Sequence, residues 1–299
     1  MIHIKRISAI LISVIIAAFS VLAGSAAVIY EQDGYKFTDL DANTVSLCGW
    51  DNRTPELILP NKIGDYYFAE ISDFGLRGNN GITGLDISQP TNLRRIGLYA
   101  FADCTELSGE VVFPLRITDI GQSAFENCYQ LESAIIYSNI TTIKRQTFYN
   151  CSCLNNVQIP SSVQNIEALA FANCGSLRNI TLPQSVTSIS DSAFMNDRNI
   201  IINCYYGSYA QQYAIDNNIN YLLIDGVKLG DVNGDGAVDV TDATFIQSYL
   251  AELETLEGIY LHAADTKNDG EVDISDATAI QMYAAEYQTG YPIGQVMLK

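Results

Sequence analysis

The sequence predicts a solenoid of stacked repeats, made of short parallel strands with helical turns, followed by a small all-α module with two loop-helix motifs. Two observations carry that prediction. A motif recurs every 23 or 24 residues through the middle of the chain, and a twelve-residue acidic loop near its end is repeated 34 residues later. Recurrence on this scale decides architecture before any single element is considered, because one short unit cannot bury its own apolar face and a stack of units can.

The first element in chain order is a leader. Lys5 and Arg6 form a basic head, Ile7 to Leu22 an apolar stretch, and Ala23 to Ala27 a run of small residues. That three-part layout predicts a secretory signal peptide over residues 1–27, cleaved near Ala26 or Ala27, with an uncleaved membrane anchor as the alternative. No later segment approaches the ~20 apolar residues of a membrane span, so the mature chain is expected to be soluble and exported.

Five copies define the repeat: "IGLYAFADCTEL" from Ile96, "IGQSAFENCYQL" from Ile120, "IKRQTFYNCSCL" from Ile143, "IEALAFANCGSL" from Ile166 and "ISDSAFMNDRNI" from Ile189. "ISDFGLRGNNGI" from Ile71 is a degenerate earlier copy. Phe101, Phe125, Phe148, Phe171 and Phe194 fill one column, and Leu107, Leu131, Leu154, Leu177 and Ile200 another. A short strand follows each, as in "NVQIP" and "NITLP". Stacking predicts continuous ladders of identical side chains. Cys104, Cys128, Cys151 and Cys174 share an interior column, where a thiol acts as a small hydrophobe with a weak donor. Asp197 stands in that column in the last copy, and Cys48, Cys153 and Cys204 lie outside it. No zinc-ligand spacing exists, since Cys151 and Cys153 are two apart with no histidine near.

These residues resemble the BspA-like bacterial leucine-rich repeats, with a pattern of roughly I-x-x-x-A-F-x-x-C-x-x-L-x-x-I-x-I-P, over residues 28–225. In that light "TVSLCGWDNRTPELILPNKIGDYYFAEIS" corresponds to entry repeats, and "NCYYGSYAQQYAIDNNINYLLID" to a closing helix and strand. The exposed middle-of-strand column is expected to be Val112, Ile135, Gln158 and Thr181, flanked by Glu110, Ser133, Asn156 and Asn179. Its half-apolar, half-amide character suits a protein or a glycan ligand.

The C-terminal segment is strongly anionic. Of a formal charge of −18, residues 226–299 contribute −10 from 13 acids and 3 bases. Nucleic acid is excluded as a partner because its phosphates would be repelled. The spacing of the acids favours a cation. In "DVNGDGAVDVTD" oxygen donors fall where a twelve-residue calcium loop needs them, with glycine at the sixth position for the sharp turn. The candidate ligands are Asp231, Asn233, Asp235, the Ala237 carbonyl, Asp239 and Asp242. In "DTKNDGEVDISD" they are Asp265, Asp269, the Glu271 carbonyl, Asp273 and Asp276. Lys267 replaces an oxygen donor there, which predicts a weaker second site. Each loop differs from an ordinary EF-hand in ending on aspartate and leading directly into a helix, "TDATFIQSYLAE" or "SDATAIQMYAAE". No helix is expected in front of either loop.

This pair of loop-helix motifs, over residues 229–294, resembles the type I dockerin modules of cellulosomes. The resemblance implies two calcium ions as cofactors and a scaffoldin cohesin as partner. It also implies cohesin contacts at Val240, Thr241, Gln247, Ser248 and Glu252, with a twin set at Ile274, Ser275, Gln281, Met282 and Glu286. Domains are therefore expected at 1–27, 28–225 and 226–299.

Catalysis is not expected. The chain has two histidines, His3 in the leader and His262 between the loops, so no Ser-His-Asp or Cys-His set can form on the repeats. Phosphate-binding glycine loops are missing too. The alternative is a polysaccharide-active enzyme with two carboxylates about 5–10 Å apart on the repeat array. The favoured reading is a secreted, non-catalytic cellulosome component, at the cell surface or released, whose repeats recognise or adhere to a partner.

Overall fold

Residues 13–15, 28–197, 199–205, 207–224, 227–256 and 258–297 are described by the computed structural model. The expected signal peptide lies outside the described residues except for Ser13–Ile15, which pair antiparallel with Ile29–Glu31. Among the described residues no helix is long and apolar enough to cross a membrane. The chain divides into two compact units, Met1–Ile200 and Ile201–Lys299.

The first unit opens with strands Ile29–Gln32, Tyr35–Asp39 and Thr44–Trp50, paired antiparallel in succession. Thr44–Leu47 then pairs in parallel with Tyr67–Ile71, and from there the chain coils. Each coil contributes two short parallel strands. One ladder runs Gly109–Phe113, Leu131–Ile136, Asn156–Gln158. The other is seen as Glu70–Arg95–Asp119 and again as Thr142–Asn165–Ser188. In the second ladder opposite charges alternate between coils, and Arg95 bridges Glu70 (3.2 Å) and Asp73 while Lys144 reaches Asp119.

The segments expected as helical turns take a tighter form. Two residues per coil adopt positive φ, in columns Tyr99, Ser123, Gln146, Leu169 and Asp103, Asn127, Asn150, Asn173, Asn196. A left-handed residue every four positions stops a helix from propagating, so the backbone makes successive tight turns instead. These turns bond to the next coil, as Phe125 N–H does to Thr147 O (2.9 Å) and Phe148 N–H to Ala170 O (2.9 Å). Asparagine tolerates the left-handed region well, and here its side chain builds a further ladder. Asn127 donates to Asp103 (2.7 Å), Asn150 to Asn127 (2.8 Å), Asn173 to Asn150 (2.7 Å) and Asn196 to Asn173 (2.8 Å).

Inside, the phenylalanine column forms a continuous stack. Ring centroids from Phe101 through Phe125, Phe148 and Phe171 to Phe194 are separated by 5.2, 5.8, 5.6 and 5.5 Å, with planes within 17° of parallel. The cysteine column is buried as expected, and all seven cysteines are free thiols. Cys128, Cys151 and Cys174 each donate to the carbonyl of a phenylalanine, Phe101, Phe125 and Phe148 respectively, at 3.2 Å.

Asp197 ends that column and inherits its apolar site. It is 7% exposed, and neither carboxylate oxygen has a well-formed hydrogen bond among the described residues. Burial pushes its carboxyl up to about 7, with the Cys174 amide opposing. The folded chain thus retains a proton that an unfolded aspartate, with its ordinary value of 3.8, releases. Its contribution to stability is full below about pH 4 and is lost as pH rises through about 7. Above that window the charged form costs roughly 2–4 kcal/mol. Asp197→Asn is expected to remove this slope and raise the melting temperature of the repeats at pH 8, read as wild type minus variant from pH 4 to pH 8. Parallel curves would contradict the assignment.

The second unit begins with strand Ile201–Cys204, helix α1 (Tyr209–Asp216) and strand Asn220–Leu223, which lies parallel to the first. The closing helix and strand read from the sequence are therefore formed. Ser208 caps α1, its hydroxyl accepting from Gln211 N–H (3.2 Å). Beyond them lie three helices: α2 (Val240–Leu250), α3 (Gly258–Ala264) and α4 (Ile274–Ala284). A core of Val232, Ala243, Ile246, Leu256, Ala264, Ala277 and Ile280 joins them. Val227–Lys228 pairs antiparallel with Val296–Met297, tying the two ends of this part together.

Helix α3 departs from expectation, since it ends at Ala264, immediately before the second loop. Leu256, Tyr260, Ala263 and Ala264 follow helical spacing and meet the core, a short signal without a recognisable cap. In helix α2, Ile246 is buried and Phe245 and Tyr249 pack on the core, while Leu250 is exposed.

Candidate metal centre and docking face

In the first loop the backbone is drawn around its own acids. Asp242 is fully buried, with Oδ1 accepting from Val232 N–H (2.7 Å) and Asn233 N–H (3.0 Å), and Oδ2 from Asp239 N–H (3.0 Å). Asp239 is the N-cap of α2, accepting from Thr241 N–H (2.7 Å), and with Asp242 it completes a capping box. Asp235 Oδ1 accepts from Ala237 N–H (2.8 Å), and Asn233 Oδ1 from Asp235 N–H (2.8 Å). Gly236 takes φ +85°, the left-handed conformation its position in the turn requires.

Asp231 is the informative side chain. It is 4% exposed; Oδ2 accepts from Gly236 N–H (3.1 Å), while Oδ1 is buried with no partner. Burial, and then the charge of Asp242, push its carboxyl above the ordinary value; burial raises Asp242 as well. By contrast, hydrogen bonds from Thr241 hold the Asp239 carboxyl below its usual range. An orphaned buried oxygen, in a loop of four carboxylates without a cationic side chain, is a fit for a hard divalent ion. Among the described residues no three His, Cys, Asp or Glu side chains converge as a ready cage. Asp231, Asn233, Asp235, Asp239, Asp242 and the Ala237 carbonyl would hold calcium, each oxygen already in a hydrogen bond sharing a remaining lone pair.

The second loop copies this backbone. Asp276, fully buried, accepts from Lys267 N–H (3.2 Å) and Asp273 N–H (3.0 Å), and Thr266 hydroxyl donates to it (3.1 Å). Asp273 caps α4 through Ser275 N–H (2.7 Å), and Gly270 N–H donates to Asp265 Oδ2 (2.9 Å). Two things differ. Asp265 Oδ1 is satisfied by Asp269 N–H (3.0 Å), and Lys267 Nζ sits 2.8 Å from Asp269 Oδ2 and 3.9 Å from Asp273 Oδ1. The Asp269 carboxyl is held low, first by the hydrogen bond from Lys267. The Glu271 side chain is exposed.

The residues implied as partner contacts are on the surface in matched pairs. Val240 and Ile274 are each 58% exposed. Thr241, Gln247, Glu252, Gln281, Met282 and Glu286 are exposed, and Ser248 and Ser275 half-buried. The two helices even end alike, Glu252 and Glu286 taking φ of 59° and 62°.

On the repeats, the expected exposed column is only partly open. Val112, Gln158 and Thr181 are exposed but Ile135 is buried, as is Ser133 in the flanking column. Ser133 hydroxyl donates to Glu110 (3.2 Å) and accepts from Asn156 (3.1 Å), so its longer neighbours cover it. Elsewhere on the array, a shallow depression of about 450 Å³ is lined by Arg145, Asn165, Ile166, Glu167, Ala168, Ser188 and Ser190. Its lining includes one carboxylate, Glu167.

Two family models match the chain. Residues 61–201 match the model of the BspA type leucine rich repeat region in six copies, and residues 229–283 match the dockerin type I domain. The chain thus carries a BspA type leucine-rich repeat region followed by a dockerin type I domain, neither of them typically catalytic. No curated protein matches it. Among solved structures it is similar to a leucine rich cell surface protein from Faecalibacterium prausnitzii, with 24% identity, 59% of this chain and 54% of that chain covered, and a TM-score of 0.46. It is similar also to a leucine-rich repeat protein of T. pallidum (21% identity, 58% and 70% covered, TM-score 0.37) and one from Eubacterium ventriosum (20%, 53% and 49%, 0.36). The chain spans about half the length of the F. prausnitzii protein.

Proposed function

We propose that this chain is an exported, non-catalytic cellulosome component. Its dockerin, over residues 226–299, folds around calcium and docks on a scaffoldin cohesin, while its repeats, over 28–225, recognise a protein or glycan. The observation that supports this reading best is the duplicated outer face, on which Val240 and Ile274 stand equally exposed at the start of matching helices. An apolar residue so placed next to a hydroxyl, Thr241 or Ser275, is what a protein partner can cover.

The twin faces make two docking orientations available, related by exchange of the two copies. Gln247 with Gln281 and Glu252 with Glu286 match, whereas Ser248 with Met282 does not, so one orientation is preferred. The test uses Val240→Asp with Thr241→Asp, Ile274→Asp with Ser275→Asp, and all four together, titrated against immobilised cohesin modules. Two modes predict small losses from either pair and loss of binding from the four. Abolition by one pair alone would show single-mode docking. Full binding by the quadruple variant would remove these faces from the interface.

A further inference from the structure

The two calcium-type loops share a backbone and differ in where their positive charge comes from. In the first, the third position is Asn233, a neutral amide whose Nδ2 donates to Asp235 (3.2 Å) and Thr241 (2.9 Å). Its Asp231 Oδ1 is left buried and unpartnered. In the second, the same position is Lys267, whose side chain is only 20% exposed and reaches back into the loop. Its ammonium lies 2.8 Å from Asp269 and 3.9 Å from Asp273, the counterparts of Asp235 and Asp239. The position-one acid there, Asp265, has both oxygens satisfied by backbone N–H groups, from Asp269 (3.0 Å) and Gly270 (2.9 Å). The one ammonium that reaches the first loop from outside, Lys228 Nζ, donates to the Gly236 carbonyl and pairs with none of the carboxylates by the bonds observed, so the loop without a cation of its own has an oxygen lacking a partner, and the loop with one has none at that position.

We propose that Lys267 is the resident cation of the second loop, closing it without metal, and that the module therefore takes one calcium ion, in the first loop. This rests on the calcium reading of the first loop. The physical basis is competition at short range. A divalent ion entering among Asp265, Asp269 and Asp273 must first displace a tethered ammonium already paired with two of those carboxylates. If it does not, it sits beside a like charge in a small space. A tethered group also competes at an effective concentration that a free ion has to exceed. The two halves of the duplication are then divided in role: one half binds calcium, and the other needs no ion of its own, although both share the core that joins their helices.

The test is a count of bound ions, made on the full chain by equilibrium dialysis with radioactive calcium. The wild-type chain is expected to hold one ion, and Asp231→Asn to hold none. Lys267→Asn, which copies the residue of the first loop, is expected to hold two. Two ions on the wild-type chain would overturn the proposal whether or not any variant folds. One ion on a folded Lys267→Asn would overturn it as well, by showing that the ammonium is not what keeps calcium out. Zero ions on the wild-type chain would instead overturn the calcium reading of the first loop, a failure distinguishable from the other two.

Discussion

Chelating calcium is expected to erase the thermal transition of the C-terminal module and leave that of the repeats unchanged. Asp231, Asp235, Asp239 and Asp242 are gathered into twelve residues, and burial raises the cost of charging Asp231 and Asp242 without a counter-ion. An ion that binds only the folded loop stabilises it by about 4 kcal/mol when present at roughly a thousand times its dissociation constant. That is a large share of the stability of so small a domain. Differential scanning calorimetry with and without chelator checks it. Asp231→Asn in millimolar calcium should behave as the chelated wild type does, because it leaves the Oδ2-side acceptor for Gly236 N–H but removes the charge that faces the ion. A C-terminal transition indifferent to chelator would rule out the metal.

Phe148→Ala is expected to have the opposite footprint, lowering the stability of the repeats by about 3–5 kcal/mol and sparing the dockerin. Phe148 is fully buried at the middle of the stack, 5.8 Å from Phe125 and 5.6 Å from Phe171. Each coil of a solenoid is stabilised chiefly by its neighbours, so a cavity at the centre weakens two interfaces at once. Phe194→Ala, the last phenylalanine of the column and slightly exposed (5%) where Phe148 is fully buried, should cost less. Chemical denaturation of the repeat transition measures both, and equal losses would show that the stack does not act through nearest neighbours.

What the sequence revealed best was whatever repeats in register. The phenylalanine, leucine and cysteine columns were legible because an interior ladder demands the same side chain in every coil. The acidic loops were legible because oxygen ligands and a turn glycine must fall at fixed spacings. The asparagine column was there to be seen too, one residue before each column cysteine, from Asn127 to Asn173, and again before Asp197. It carries no signal by itself, because asparagine reads as a surface residue until its left-handed backbone and its side-chain ladder are seen together.

Other features depend on contacts that no local pattern encodes. The burial of Ser133 comes from Glu110 and Asn156 of the neighbouring coils, which bond across it, not from its own strand. Helix α3 is too short for its apolar spacing to stand out, and it is held by the core rather than by propensity. The reach of Lys267 into its own loop depends on a side-chain direction. Sequence alone shows that a lysine replaces a ligand, but not that its ammonium lies where it pairs with Asp269 and Asp273.

In the proposed function a calcium-folded dockerin plugs this repeat array into a cohesin-bearing scaffold. The most direct measurement is titration of the full chain against immobilised cohesin modules in calcium, then in chelator, then with calcium restored. Saturable binding in calcium, its loss on chelation and its recovery on return of the ion are the expected results. Undiminished binding in chelator, or no binding to any cohesin with calcium present and the module folded, would contradict the proposed function.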